Sequence, residues 1–481
     1  MRFFVILRYT GMVMLYVAAL MVASAVVAFF NNRDSSFFPL LLSVLLTAML
    51  AIFPLIFVPK TDQINSKEGF CIVVGAWILA CVVGMFPYLI WGGEFSLVNA
   101  WFESVSGFTT TGASILNDIE GLPKGLLFWR SSTAWMGGIG VVMFALVILP
   151  SLGKTKMMLS NIELSSLAKD NYRYRTQQIV RILLAVYIIL TIVATLALRL
   201  AGMGWFDAVN HGMSAAATCG FSTKNASIGA FDSPLIYIII MTTILISGIH
   251  FGLIFATFTG KRNNIFRSEV TRLYFIIVVI GSVAVSANIY FANIYDSLSS
   301  SVMHGSFQFV SLLTTSGFAT ADTNLWPPFA IMILIFASII CACAGSTSGG
   351  IKVDRLLLFG KMVKARMRGQ QHPNLVSRLK VDGVAQGPEM LGTVMIFVVT
   401  YVVVILAGTT VNALFGLDLL TSVTSAIACI GNIGPGFGEV GSLNSYAGVP
   451  VILKLQDTLM MLIGRLEIFG FIQLFFLRSW R

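Results

Sequence analysis

Apolar runs long enough to cross a bilayer recur along this chain, with polar and basic punctuation between them. They fall at about 9–30, 38–59, 70–92, 125–150, 178–202, 234–260, 271–292, 327–360, 388–414 and 449–477. A helix needs about 20 mostly apolar residues to span the hydrocarbon core, so the pattern predicts about ten spanning helices. Arg2 and Arg8 precede or open the first run, which is too long for the apolar core of a signal peptide and reads as a retained first helix.

Four connections break the simple alternation. The stretches 93–124, 203–233, 293–326 and 415–448 are too apolar for solvated loops. Each holds a half-length apolar segment followed by a run rich in Thr, Ser and Gly. A segment that short is expected to enter and leave the membrane on one side.

The four connections align on one glycine each: Gly112, Gly220, Gly317 and Gly434. Around them stand Thr110-Thr111-Gly112-Ala113-Ser114, Thr218-Cys219-Gly220-Phe221-Ser222-Thr223, Thr315-Ser316-Gly317-Phe318-Ala319-Thr320 and Asn432-Ile433-Gly434-Pro435-Gly436. Ser106, Ser214 and Ser311 lie six before the glycine in three copies, and the glycines are 108, 97 and 117 residues apart. Self-similarity at a near-constant period marks repeated units.

Such a repeat suits ion conduction. Irregular backbone at membrane depth is tolerated where it is buried in protein or lines a water-filled path. Neutral carbonyls replace the hydration oxygens of a potassium ion without trapping it, as carboxylates would. Glycine supplies the unusual backbone angles this needs. A short helix ahead of each loop would aim its C-terminal end, with roughly half a negative charge, at the ion path. Asn99 and Asp207, thirteen before their glycines, are the expected caps of two of those helices.

Composition sharpens the class. The chain is 57% hydrophobic and 11% charged over 481 residues, more apolar surface than a soluble interior holds. Its net charge of +10 is not gathered into one nucleic-acid-binding face. With the N-terminus placed in the cytoplasm, 24 of the 31 Lys and Arg fall on inner segments and 6 on outer ones, with Arg465 inside the last run. That bias fixes the orientation. Asp34, Glu94, Glu103, Asp118, Glu120, Asp207, Asp232, Asp296, Asp322, Asp418, Glu439 and Asp457 fall outside, where an acidic face would concentrate cations. The six cysteines form no CxxC pair, and His211, His250, His304 and His372 are isolated, which supports neither a zinc site nor a disulfide framework. Cys219 reads as a packing residue rather than a reactive thiol.

The whole chain resembles the Trk/Ktr/HKT superfamily of cation transporters, and within it the bacterial Trk-type (TrkH-like) potassium uptake subunits. The motifs are those at 106–114, 219–223, 314–320 and 431–436, with Cys-Ala-Gly-Ser-Thr-Ser-Gly-Gly-Ile-Lys at 343–352 and Gly-Arg-Leu-Glu-Ile-Phe at 464–469. The resemblance implies an all-α polytopic membrane protein: four M1–pore helix–M2 repeats around a central pore, after an N-terminal helix pair. The corresponding units are 1–66, 67–150, 151–262, 263–370 and 371–481. It implies potassium, with no further cofactor, held at Thr110, Thr111 and Gly112; Thr218, Cys219 and Gly220; Thr315, Ser316 and Gly317; and Asn432, Ile433 and Gly434. Plant relatives with serine at the first of these glycines prefer sodium, so Gly112 is expected to favour potassium.

Gly345-Ser346-Thr347-Ser348-Gly349-Gly350 cannot hold a lipid-facing helix, so the long run after the third loop is expected to break there. The residues leave a packed kink and a gate equally open; the resemblance implies an intramembrane gate. Arg465, deep in the last run and close to Glu467, is an intramembrane charge and hence a functional candidate. In the permeation path it would raise a Coulomb barrier, as the resemblance implies. Pairing with Glu467, two residues on, is disfavoured on a helix, which leaves helix-end carbonyls as the structural alternative. Lys352 reads as an inner-surface anchor. The basic stretches 151–181 and 352–389 suit anionic lipid or a partner. The resemblance implies a homodimer above a cytoplasmic nucleotide-binding ring subunit (TrkA-like). A secondary transporter of organic solutes would need a polar midplane constellation, and a membrane enzyme a nucleophile–base set or metal cluster. Neither is evident, and coupling to protons or sodium stays open.

Overall fold

A computed structural model describes residues 2–61, 64–148, 176–260, 264–372 and 379–468. Most of the basic stretch 151–181, part of 352–389, and the end of the last predicted run lie outside these residues. The described chain is helical apart from one two-stranded hairpin.

Helices α1 (Phe3–Phe30) and α2 (Phe37–Phe57) form the N-terminal pair. Gly11 lets them pack closely, since a Cβ there would lie 2.9 Å from the Ala51 carbonyl oxygen. Four segments with one common order follow. The first runs α3 (Ser66–Gly84) with its short continuation α4 (Phe86–Trp91), α5 (Leu97–Phe108) and α6 (Lys124–Ile148). The second runs α7 (Thr176–Leu200), α8 (Trp205–Ala216), α9 (Pro234–Ser247) and α10 (Phe251–Phe258). The third runs α11 (Glu269–Phe291), α12 (Leu298–Leu313), α13 (Pro328–Ile340) and α14 (Val353–Gln371). The fourth runs α15 (Pro388–Leu414), α16 (Leu419–Gly431) and α17 (Val451–Arg465).

Among the described residues six helices are long and apolar enough to span a membrane, and seven if α9 and α10 count as one span. The six are α1, α2, α3–α4 and the first helices of the other three segments. The helices that follow the short ones fall short of that pattern: α9, α13 and α17 run only 14, 13 and 15 residues. Helix α6 carries a buried Arg130, and α17 buries Lys454 and Asp457. Helix α9 bends by 100° into α10, and α13 ends at Ile340.

The half-length apolar segments are α5, α8, α12 and α16, and their starts correct the expected caps. Asn99 and Asp207 are each the third residue of their helix, because Leu97-Val98 and Trp205-Phe206 already continue the helical turn. Ser96 caps α5 by accepting from the Asn99 N–H at 3.3 Å, and Gly204 precedes α8 without a side-chain cap. Ser297 caps α12 from 3.0 Å and Asp418 caps α16 from 3.2 Å. Replacing Asp418 by alanine is expected to remove about 1 kcal/mol of stability. The check is a lower midpoint of thermal denaturation in detergent.

Strands β1 (Lys380–Val381) and β2 (Val384–Ala385) form a hairpin. Its turn, Asp382-Gly383, has φ of 49° and 82°, the backbone a two-residue hairpin requires. Asp382 then accepts from Ser268 Oγ at 2.8 Å, at the start of α11. The hairpin thus connects the start of α11 to α14, through Lys361 to the Lys380 carbonyl, and Lys361 and Glu269 also join the two helices by an ion pair.

Candidate functional site: four glycine loops and the segment beneath them

Each short helix hands its chain to a glycine loop by the same two hydrogen bonds. The residue before the glycine donates its N–H to the carbonyl five residues earlier in all four copies. These are Thr111 to Ser106 at 2.9 Å, Cys219 to Ser214 at 3.0 Å, Ser316 to Ser311 at 2.8 Å and Ile433 to Ala428 at 2.9 Å. Thr110, Thr218, Thr315 and Asn432 likewise donate to Gly107, Ala215, Leu312 and Cys429. The backbone repeats as well. Thr110, Thr218, Thr315 and Asn432 have φ of 56°, 50°, 56° and 53°, and Gly112, Gly220, Gly317 and Gly434 have 80°, 83°, 72° and 101°. The residue between stays at negative φ in each loop. A strand alternating in this way turns successive carbonyls to one side. Left-handed backbone is strained for Thr, and its recurrence in three copies, with Asn in the fourth, points to a shared role.

The four loops close into a ring. A Cβ on Gly112 would overlap the Cys219 carbonyl oxygen, one on Gly220 the Ser316 oxygen, and one on Gly317 the Ile433 oxygen. One on Gly434 would sit 2.6 Å from the Thr111 oxygen, which completes the circuit. Each glycine therefore backs directly onto the carbonyl that precedes the next copy's glycine. All four line one cavity of about 450 Å³, with Asn117, Lys224 and Glu439 on its wall. Asn225, also on that wall, donates to Asp118, and Lys224 donates to Glu120. These bonds hold both carboxyls below their ordinary range.

Two of the three serines six before the glycine brace the outgoing strands, while Ser214 Oγ is buried without a hydrogen-bond partner. Ser311 Oγ donates to the Phe318 carbonyl at 2.7 Å, and Ser106 does the same to Ala113. Cys219 is fully buried in a small apolar cluster with Ala134, Ala217 and Phe221, where it packs rather than reacts.

Directly against the other side of the ring lies the segment between α13 and α14. All of its glycines sit where side chains do not fit. A Cβ on Gly345 would overlap the His250 ring, one on Gly349 the Gly431 carbonyl, and one on Gly350 the Cys341 sulfur. Thr218 donates its hydroxyl to Thr347 at 3.1 Å, and Thr347 donates to the Ala216 carbonyl at 3.3 Å. Gly349 N–H donates to Thr315 Oγ1 at 3.2 Å, and Ser346 and Ser348 bond each other at 2.8 Å. Asn432 reaches both Thr111 Oγ1 at 3.0 Å and the Met461 carbonyl at 2.9 Å.

Arg465 completes the closure. It is the last residue of α17, and its guanidinium donates to the Thr347 carbonyl at 2.8 Å and the Gly137 carbonyl at 2.7 Å. One side chain from the fourth segment thus ties the glycine-rich segment of the third to a helix of the first. Glu467 does not pair with it. Glu467 accepts from Lys352 at 3.2 Å and Arg355 at 2.6 Å. Lys352 is therefore not an inner-surface anchor. Its backbone, at φ 77°, turns the chain into α14, and its ammonium faces Glu467.

Two features lay outside the sequence reading. The run 234–260 looks like one span, yet it breaks at Gly248-Ile249-His250. There Cys343 N–H donates to the Gly248 carbonyl at 3.0 Å, and Phe251 N–H to the Gly345 carbonyl at 3.2 Å. Glu103 and Arg130, counted among outer charges, are instead a fully buried ion pair at 2.7 Å behind the first loop. Asp457 and Lys454 are likewise buried rather than at the mouth. Each looks in sequence like a charge near a helix end. Among the described residues no group of three or more His, Cys, Asp or Glu is placed to hold a metal ion.

Comparison with known proteins accords with this geometry. The family model for TrkH, described as a cation transport protein, matches residues 43–479. The Trk system potassium uptake protein TrkH of Salmonella typhimurium (strain LT2) is 36% identical over 425 residues, 88% of either chain. The protein of that description from Vibrio parahaemolyticus is 34% identical over 498 residues and the full length of both. The crystal structure of the potassium transporter TrkH from Vibrio parahaemolyticus superposes with a TM-score of 0.90, at 32% identity, over all of both chains.

Proposed function

Because this chain belongs to the TrkH family of cation transport proteins, we propose that it takes up potassium across the bacterial cytoplasmic membrane through the ring of four glycine loops. The observation that carries this reading is the closed circuit in which each glycine backs onto the next copy's carbonyl. Such a circuit gathers main-chain oxygens from four segments around one centre, where they replace the water of a monovalent cation. Thr110 to Gly112, Thr218 to Gly220, Thr315 to Gly317 and Asn432 to Gly434 form the selectivity filter. The outer cavity with its carboxylates supplies cations to it.

Gly345 to Gly350 is the gate and Arg465 its lock. The supporting observations are the bond from filter Thr218 to Thr347, the bond from Gly349 to filter Thr315, and the guanidinium that pins the Thr347 carbonyl. Opening requires the segment to leave the underside of the ring. Its hold on the α9–α10 break, and the reach of α14 to the inner face, give an inner partner a handle on it. That partner is a nucleotide-binding ring subunit (TrkA-like) below a homodimer, with the N-terminus in the cytoplasm and the repeats divided at 67, 151, 263 and 371.

The test is flux in vesicles containing only the purified protein, beside growth of an uptake-deficient strain. Expression should restore growth at limiting potassium, and rubidium or potassium flux should be indifferent to organic solutes. Growth rescue without flux in the purified system would remove the proposal that this chain itself forms the pathway.

A further inference from the structure

Nine residues before each glycine the short helix carries a polar residue, and all four are buried: Glu103, His211, Gln308 and Ser425. A buried polar group is destabilising unless bonded, so four at one register require a reason. Three of them reach the strand that leaves their own glycine. Glu103 accepts from Ser114 Oγ at 3.0 Å and from Ile115 N–H at 3.1 Å, two and three residues past Gly112. His211 Nε2 lies 2.9 Å from Ser222 Oγ, two past Gly220. Gln308 Nε2 donates to the Ala321 carbonyl at 3.0 Å, four past Gly317. In the fourth copy Ser425 turns to Asp457 at 3.4 Å, and neighbours take over the bracing. Thr424 Oγ1 accepts from Phe437 N–H at 2.9 Å, and Tyr446 donates its hydroxyl to the Gly434 carbonyl at 3.0 Å.

We propose that this register is a set of struts behind the ring, and that Glu103 with Arg130 is the positioning pair on which potassium selectivity depends. Arg130 extends the first strut to the second copy. Its Nε donates to Glu103 at 2.7 Å, one Nη to Ser114 Oγ at 3.2 Å and the other to the Ser222 carbonyl at 3.2 Å. Its guanidinium also stacks 4.1 Å from the centre of the Phe221 ring. One buried ion pair therefore fixes the outgoing strands of two adjacent copies relative to each other. Glu103 stands behind the cavity wall, and Arg130, although buried, borders the cavity between Ser114 and Ser222; the pair acts through Ser114, Ile115 and Ser222. A ring of neutral carbonyls distinguishes potassium from sodium only while its number and spacing of oxygens are held, and a yielding ring would adapt to the smaller ion. A buried pair is a poor source of net stability but a strong constraint on geometry, because either charge alone is strongly unfavourable there.

The inference rests on reading the ring as the selectivity filter, so its test includes a filter control. Potassium-over-sodium permeability is measured from reversal potentials, or from paired flux, for Glu103→Gln, Ser114→Ala and Gly112→Ser. Glu103→Gln keeps the shape and an acceptor but leaves Arg130 without its counter-charge; the ratio should fall about tenfold. Ser114→Ala breaks the same link without stranding a charge and should lower the ratio about two- to threefold. The double variant should fall short of the product of the two effects, since both act through one link. A merely structural pair would reduce yield and thermal midpoint and leave the ratio unchanged. If Glu103→Gln does not fold, Ser114→Ala decides. An unchanged ratio in every folded strut variant, beside an altered one in Gly112→Ser, overturns the struts alone. An unchanged ratio in Gly112→Ser as well overturns the filter reading beneath them.

Discussion

Alanine at Arg465 is expected to raise potassium flux through the purified protein by about tenfold or more. Two contributions act in the same direction. The guanidinium donates to the Thr347 and Gly137 carbonyls at 2.8 and 2.7 Å, and a hydrogen bond from a charged group contributes about 1.5–3 kcal/mol. Losing both frees the segment under the ring. The charge itself opposes a cation on the axis: at a separation of about 4–8 Å and an effective dielectric of about 20, the repulsion is about 2–4 kcal/mol. Arg465→Lys separates the two contributions. It keeps the charge but not the two-pronged reach, so flux should rise by less than in the alanine variant. Arg465→Gln removes the charge while keeping donors and should fall between them. The measurement is initial rubidium uptake into vesicles, normalised to monodisperse protein. Loss of flux in well-folded Arg465→Ala would show that the guanidinium supports the open pathway instead of obstructing it.

The legibility of this chain followed backbone strain. Gly112, Gly220, Gly317 and Gly434 could be aligned by eye because left-handed backbone against a neighbouring carbonyl admits no side chain, so the residue type itself records the geometry. Gly345, Gly349 and Gly350 were readable for a related one: each is packed against a neighbouring group that leaves no room for a side chain. The break between α9 and α10 was not. Ile246-Ser247-Gly248-Ile249-His250 is apolar enough to continue a helix, and what stops it is a pair of hydrogen bonds to Cys343 and Gly345, distant in sequence. Tertiary partners overrode a local preference that pointed the other way. The struts were hidden differently. Glu103 looked like one more outer carboxylate and His211 like a stray histidine. Nothing in either residue type announces that a strand returns past it to be bonded. Arg130 and Lys454 misled in the same manner: hydropathy counts charges by position along the chain, whereas burial depends on which face of the helix they occupy. Asn99 and Asp207 failed as caps by three residues, because aromatic and aliphatic residues before them extended the helix backwards.

Serine at Gly112 or Gly317 should collapse the preference for potassium over sodium, by at least about tenfold in permeability ratio. The reason is steric before it is chemical. At Gly112 the new Cβ would overlap the Cys219 carbonyl oxygen; at Gly317 it would overlap the Ile433 oxygen and press on Pro435 Cδ from 2.7 Å. The carbonyls are backbone and Pro435 Cδ is part of a closed ring, so none of them swings aside as a flexible side chain does. The displaced atom is itself a proposed ion ligand, donated by the next copy. A side chain at φ of 80° or 72° adds strain of about 1–2 kcal/mol. Damage introduced in one copy therefore appears in its neighbour, and the ring loses the spacing that excludes the smaller ion. The circuit also predicts an order. Gly434 stands farther from its neighbour, with its Cβ position 2.6 Å from the Thr111 oxygen, so Gly434→Ser should be the mildest of the four. Reversal potentials in mixed potassium and sodium salts give both the size and the ranking. If Gly112→Ser keeps its reversal potential, or Gly434→Ser proves the most damaging, then the carbonyls that meet these glycines do not set selectivity.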